Sequence, residues 1–524
     1  MSRMSRVVLG LALGLSLSAP SAGQAISIPT EPESGVQVQV DALLASPWGS
    51  RPLHVTIHND SGRDRSWTFD SRSSSPAGFT RRYRSSLAVG AGEQRTFELV
   101  VPLGGDVGEI SSLQVRVLGF GVTSSDWQYP SGVYTTETLP IPALSQSLHM
   151  EAQPGLVFDP GLLPSDWRGL LGLRLLVLTE DEWKSASPGA RSALSEWICR
   201  GGRLVRVGGE SLSSEALGLG TMVTAEHPES QSEWGEVLTT GDPSPTISYR
   251  AWAQERFSAI ETRSGLLLAF LVVYAPLAGP VNLYLLCSKG RRARLFWTLP
   301  ALALGASLLL TAIILVQDGV GGRGHRVTYV RLVPELTREV VVQEQVSRTG
   351  ALLKRGFALD EAVAIYEAPL GFSGNEELAS EGSKFRGGWF RSRSIQAQRI
   401  DAVRPGRAQV SFVEGKAITS SIEERLEEIY YRDEDGRPWR ATGLDPGAKA
   451  TLLSATEEEY ERFWGGLSRE AGPAARVHLY QSYWERGVFL ARAGASDRPI
   501  ETLEGIDWRD TVIYAGPISG EGKP

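Results

Sequence analysis

The sequence predicts a multidomain α+β membrane protein, with an N-terminal β-sandwich, an α/β domain, a two-helix transmembrane hairpin and a C-terminal β-rich domain. Three observations predict it. Apolar and polar residues alternate at period two through residues 26–145. The pattern then changes to strand, helix, strand. Beyond that, residues 264–287 and 295–316 are apolar runs without a charged side chain. A chain of 524 residues holds several domains, and 42% hydrophobic with 22% charged residues is ordinary globular composition.

The first element is a secretory signal, residues 1–25. Arg3 and Arg6 precede an apolar stretch at 7–19 that is too short to span, and small residues lead to a cut after Gly23 or Ala25. Next come short alternating strands in residues 26–145. Val36, Val38 and Val40 form one; Leu53, Val55 and Ile57, then Phe97, Leu99 and Val101, form others. Turn residues such as Asn59-Asp60-Ser61-Gly62 separate them. This spacing predicts an antiparallel sandwich. His54 and His58 have the spacing of a helical zinc pair but lie in one of these strands. Four residues of strand span roughly 13 Å, too far to share a metal.

Residues 146–250 read as a βαβ unit. Leu175 to Leu178 is a strand covered on both faces. Ser187 caps a helix with Pro188 at its first position, and Leu194, Trp197 and Ile198 form the apolar stripe. Gly201 and Gly202 end the helix, and Leu204 to Val207 is the next strand. Here the chain resembles a family. The run Leu163-Pro164-Ser165-Asp166-Trp167-Arg168-Gly169-Leu170, the helix, and Gly201-Gly202-Arg203-Leu204-Val205-Arg206-Val207-Gly208-Gly209 look like the class I glutamine-amidotransferase-like domain of uncharacterised bacterial membrane proteins. In these proteins a helical hairpin follows, with a motif like Gly279-Pro280-Val281-Asn282. The resemblance implies a flavodoxin-like fold for this domain.

The chemistry of true amidotransferases is not carried over. Their nucleophile is a cysteine between glycines on a strained strand-to-helix turn, and no Gly-x-Cys-x-Gly occurs here. Cys199 falls in the last turn of the helix, and Cys287, the only other cysteine, lies in an apolar run. A disulfide framework is therefore excluded. Thr179, Glu180 and Asp181 stand where the elbow would be. Open α/β sheets bind ligands beyond the carboxyl ends of their strands. Glu180, Asp181, Glu210 and Ser211 belong to that edge and are the candidate ligand-binding residues. No catalytic residue, metal or cofactor is expected.

The apolar runs predict transmembrane helices at 264–287 and 295–316, each of about the 20 residues a bilayer core requires. Lys289, Arg291, Arg292 and Arg294 fall in the loop 288–294, which puts that loop in the cytoplasm and both flanking regions outside. Pro276 and Pro280 predict a kink in the first helix. The expected location is a bacterial cytoplasmic membrane, with both mature termini on its outer side. Residues 325–524 predict one or two β-sandwiches. Asp435-Gly436 marks a hairpin, and Thr456 with Glu459 is a capping box. Lys384, Arg386, Arg391, Arg393, Arg399, Arg404 and Arg407, with Trp389 and Phe390 among them, read as a solvated basic face or a contact for an acidic partner.

A net charge of -7 with both signs interspersed carries no footprint for nucleic acid. The expected partners are the lipid bilayer and an envelope protein, a membrane ATPase complex among the candidates, because this chain has no phosphate-binding loop of its own. The function expected is that of a non-enzymatic, membrane-anchored scaffold or interaction protein of the cell envelope. The alternatives are an accessory subunit of a transport system and a hydrolase or amidotransferase with an unrecognised site.

Overall fold

The fold was read from a computed structural model, which describes residues 25–42, 49–74, 80–103, 112–123, 127–129, 143–148, 156–173, 175–209, 213–226, 248–257, 264–286, 292–368, 370 and 377–520. The signal segment through residue 24, Glu210, Ser211, Cys287, Lys289 and Arg291 lie outside them.

The N-terminal strands form two facing sheets. One has the order Ala25–Ile28, Val36–Ala42, Ser50–Asn59, Glu93–Pro102. Alternate residues Val36, Val38, Val40, Leu53, Val55 and Ile57 point inward and are almost fully buried. The opposing sheet contributes Trp67, Phe69, Leu87, Val115 and Val117 to the same core. That second sheet does not close within the N-terminal region. Its edge strand Thr80–Val89 pairs in parallel with Glu377–Glu381, which continues to Lys384–Gly387 and Phe357–Ala358. Three strands from the far end of the chain thus complete the sandwich. Nothing local marks this pairing, because the partners lie some 297 residues apart (Thr80 to Glu377).

The α/β unit has the sheet order Leu156–Phe158, Ala143–Ser145, Leu175–Thr179, Arg203–Val207, Gly220–Ala225, Ser213–Leu217. All pairings are parallel except the last. Ala143–Ser145, expected at the end of the sandwich, is the first strand of this sheet. Its three buried residues lie between parallel neighbours, and a run that short carries no readable period. The helix Pro188–Cys199 covers one face. Ser187 Oγ accepts from Ala190 N, as its cap position requires, and Leu194, Trp197 and Ile198 are buried. Gly202 ends the turn directly against the Trp197 ring: a Cβ there would lie 2.3 Å from it.

Two helices follow that are long and apolar enough to cross a membrane. The first runs through Ser264–Pro276 and continues in wider turns over Leu277–Leu286, where Pro276 and Pro280 cannot donate the usual backbone hydrogen bonds. The second is Leu295–Asp318. Their apolar side chains stand outward: Leu268, Val272, Leu285, Phe296 and Leu304 are each more than 60% exposed.

The C-terminal region is β-rich as expected, but helices cover one face of its sheet in place of a second sheet. It is built on one twelve-stranded sheet whose centre is Ile395–Pro405, Arg338–Thr349, Gly322–Val333 and Ile506–Ser519. The first three are antiparallel, and Ile506–Ser519 lies parallel to Gly322–Val333. Both faces are covered. Val330, Leu332, Val341 and Ile400 enter one core, while Val327, Tyr329, Val340 and Val342 enter the other. The second face is capped by the helices Tyr249–Arg256, Glu457–Glu470 and Pro473–Trp484. The helix Pro473–Trp484 has Pro473 at its first position but no side-chain cap, and the expectation of sheet on sheet left this layer out. The Asp435-Gly436 hairpin and the reciprocal capping box of Thr456 and Glu459 are formed as expected.

Candidate functional site

The carboxyl edge of the α/β sheet holds the described candidate residues, but not in an open loop. Thr179 ends its strand and caps a short helix, Glu180–Ser185, with Glu182 as reciprocal partner. Glu180 is drawn toward Arg206 and Lys184, at 3.6 Å from each. Asp181 is exposed. The two residues therefore do not converge. Among the described residues no cluster of three His, Cys, Asp or Glu side chains is arranged to hold a metal.

A different group converges there. The strand order runs outward in both directions from Ala143–Ser145 and Leu175–Thr179, so the crevice of this sheet opens between their ends. Ser145, Ser147 and Glu182 meet at this point. Ser145 Oγ and Ser147 Oγ are 2.9 Å apart, Ser147 Oγ donates to Glu182 Oε1, and Thr179 N donates to Glu182 Oε2 at 2.7 Å. Burial works to raise the Glu182 pKa, but the hydrogen bonds from Ser147 and Thr179 outweigh it and hold the carboxyl below its usual value. The arrangement offers an ionised acceptor with hydroxyl donors. The sequence signal for it was the capping box Thr179-x-x-Glu182.

Cys199 is fully buried against the second face of the large sheet, and burial pushes its thiol up to about 12. A thiol in that state keeps its proton at neutral pH and is a poor nucleophile.

A buried polar group lies where the α/β unit, the helix Tyr249–Arg256 and the large sheet meet. Asp401 is fully buried and pairs with Arg200, from the turn after the α/β helix, and with Arg399 at 2.9 Å. Burial opposes the Asp401 charge, but the two guanidinium groups prevail and keep it ionised. Opposite Arg399 in register, Glu344 is also fully buried. Its two oxygens accept from Ala474 N and Ala475 N at 2.8 Å each, capping the helix Pro473–Trp484. The capping position itself is Gly472, whose missing Cβ leaves room for that carboxylate. Tyr249, on the pre-hairpin helix, faces the same carboxylate, and burial beside that charge raises its hydroxyl pKa. His478 stacks on Tyr329 and faces the same charges. These are joints between units.

The basic stretch is not a face. Trp389 and Phe390 are core residues. Arg391 pairs with Glu367, Arg399 with Asp401 and Arg404 with Glu361. Of the seven, Lys384, Arg386, Arg393 and Arg407 are exposed, Lys384 and Arg386 together on one face of the strand Lys384–Gly387. Within the strand Ile395–Pro405, Arg399 and Arg404 lie five residues apart and so fall on opposite faces.

No protein-family model matches the chain, and no curated protein sequence matches it. Among solved structures, a cycloisomaltooligosaccharide glucanotransferase of Paenibacillus sp. is similar at 8% identity and TM-score 0.18, over 35% of this chain and 28% of that one. A calcium-binding mutant of Bacteroides uniformis beta-glucuronidase 2 is similar at 12% identity and TM-score 0.14, over 33% and 23%. The chain thus spans about a quarter of the length of these structures. Similarity at such TM-scores carries no argument about fold or activity.

Proposed function

We propose that the protein is a non-enzymatic scaffold of the bacterial cell envelope, anchored in the cytoplasmic membrane by its helical hairpin and displaying its three folded units outside. One observation carries the reading: the units are joined into a single body that leaves the hairpin projecting. Glu377–Glu381 extends the N-terminal sheet, Arg200–Asp401 and Arg338–Glu196 tie the α/β unit to the large sheet, and Glu98 accepts from Ser165 across the first joint. Buried charge serves these joints, and Cys199 is withdrawn from chemistry. The two ends of the hairpin also meet the same edge of the large sheet. Phe257, seven residues before the first apolar helix, packs on His325 at 5.6 Å, and Gly322 follows the second helix by four residues.

The partner is an envelope protein, a membrane ATPase complex being one candidate. The resemblance to amidotransferase-like membrane proteins supports a binding rather than a catalytic role for the α/β unit. The test is in-cell crosslinking from exposed positions on the displayed units, followed by detergent extraction. A defined protein captured from Asp181→Cys or Leu453→Cys supports the scaffold reading. Turnover of a small substrate that is abolished by Glu182→Gln at unchanged protein level would replace it with an enzyme reading. The topology has its own test: in spheroplasts, a Cys287→Ser chain carrying Leu453→Cys should react with an impermeant maleimide, and one carrying Gly290→Cys should not.

A further inference from the structure

The second apolar helix has 24 residues, about 36 Å at 1.5 Å each. A bilayer core is about 30 Å thick, and about 40–45 Å with its headgroup layers. A helix that enters the core at Leu295, just after Arg294, therefore ends in the opposite headgroup layer. What the chain fixes beside that end must share the same depth.

The segment fixed there is the turn between Arg338–Thr349 and the rest of the sheet. Ala351 N donates to Gly319 O, Gly321 N donates to Ala351 O, and Gly350 N donates to Gly321 O. Gly319 is the residue directly after the helix. The turn is braced from behind as well. Arg393 N donates to Gly350 O, with Arg393 itself held at φ 59°, and Ser392 Oγ accepts from Leu352 N. A non-glycine residue in the left-handed region persists only where its surroundings impose it. On this rigid mount Leu353 stands 88% exposed and Val320 65% exposed. Lys354 and Arg355 follow Leu353 directly, and Arg323 and Arg348 are exposed as a cross-strand pair beside them. Glu504 and Asp507 are acidic neighbours, Asp318 precedes Gly319 in the chain, and Glu504 takes up Lys354 at 3.3 Å. The local balance is cationic.

We propose that this turn is a membrane-contact element: Leu353 and Val320 enter the boundary of the acyl chains, while Lys354, Arg355 and Arg323 engage the phosphates of anionic lipid headgroups. An apolar tip backed by cations matches that boundary, with the long cationic side chains reaching the headgroups. The inference rests on the reading of the two apolar helices as spans. It goes further, because it makes the outer body lie against the bilayer instead of swinging on a tether.

The experiment uses the full chain with Cys287→Ser, reconstituted in phosphatidylcholine–phosphatidylglycerol nanodiscs. A nitroxide is attached at Leu353→Cys, Leu304→Cys or Leu453→Cys, Cys199 being buried. Leu304 lies on the second helix. Leu453 is exposed and, through successive strand pairs, level with Arg331, nine residues or roughly 30 Å along the strand from Gly322. Collision with oxygen, which concentrates in lipid, is compared with collision with a water-soluble nickel chelate. The expected result is oxygen preference at 304, a weaker oxygen preference at 353, and nickel preference at 453. A label at 353 that behaves like 453, while 304 keeps its oxygen preference, overturns the contact and leaves the spans standing. Protection of 353 from both reagents overturns it in favour of a protein occupant. Nickel preference at 304 removes the spans and the proposal together. With Lys354→Glu and Arg355→Glu added, nickel accessibility at 353 should rise several-fold; an unchanged value overturns the role of the phosphates.

Discussion

At the scale of single residues, the environment decides the chemistry that the residue type only permits. His478 is the clearest case. Burial, with the positive field of Arg200 and Arg399, lowers its imidazole to about 3, against an ordinary 6.5. The unfolded imidazole takes up a proton that the folded one refuses. Its contribution to stability is therefore level above pH 6.5 and falls as pH drops from 6.5 toward 3, by up to about 1.4 kcal/mol per pH unit. Asp401 adds to the acid side only lower down, because its folded carboxyl is held below the ordinary value and its contribution is lost as that carboxyl protonates. His478→Gln should reduce the slope of the denaturant midpoint between about pH 4 and 6.5, His325, which burial also lowers, keeping part of it; a slope equal to that of the parent refutes the assignment. Trp197 is a second case. Its burial between helix and sheet follows from its stripe with Leu194 and Ile198, which was legible in the sequence. Trp197→Ala should cost about 3–5 kcal/mol, seen as lower abundance in the membrane fraction. Gly202→Ala drives a methyl group into the same ring and should lower abundance too, while Asp181→Ala on the exposed turn should not. That glycine reads in sequence only as a helix end; its closeness to the indole is a tertiary fact.

At the scale of elements, what has a local period or a local cap was readable, and what depends on a distant partner was not. The helix Glu457–Glu470 announces itself through Thr456 and Glu459, and Thr456→Ala should cost about 1 kcal/mol, measured as a lower thermal midpoint. The helix Pro473–Trp484 carries no side-chain cap of its own. Its first turn is closed by Glu344, a carboxylate 130 residues away in a strand. A charged residue amid Val340, Val341, Val342 and Val346 was the available clue, since such a charge is buried only if something receives it. The candidate ligand edge shows the same division. The strand end is legible, with Glu180, Asp181, Glu210 and Ser211 as its candidates, but Glu180 and Asp181 diverge, and Glu210 and Ser211 lie outside the described residues. The converging group is Glu182 with Ser145 and Ser147, and Ser145 belongs to a three-residue strand invisible to periodicity. At the joint, Arg200→Met should destabilise by about 3 kcal/mol or less, since breaking a buried pair typically costs 3–5 and Arg399 still pairs with Asp401. Asp401→Asn should cost more than Arg200→Met, because it leaves both guanidinium groups without their shared anion.

At the scale of the whole molecule, the boundaries drawn from composition describe stretches of chain and not independent bodies. Ala379→Pro removes a backbone donor from the strand that couples the N-terminal sheet to the rest, next to Arg82 and Arg386 in register. It should make residues 26–145 sensitive to mild protease while the large sheet stays resistant. Equal resistance of both would mean that the coupling strand is dispensable. The same pairing has a consequence for the order of synthesis. Thr80–Val89 has its edge open until Glu377–Glu381 exists, and the intervening 297 residues take roughly 15–60 s to make at 5–20 residues per second. For that interval an unpaired strand edge, the template for wrong pairing between chains, is on display beside every other nascent copy. A protein made this way is most vulnerable in youth, and its yield should depend on whatever chaperone shields that edge until the last third of the chain arrives.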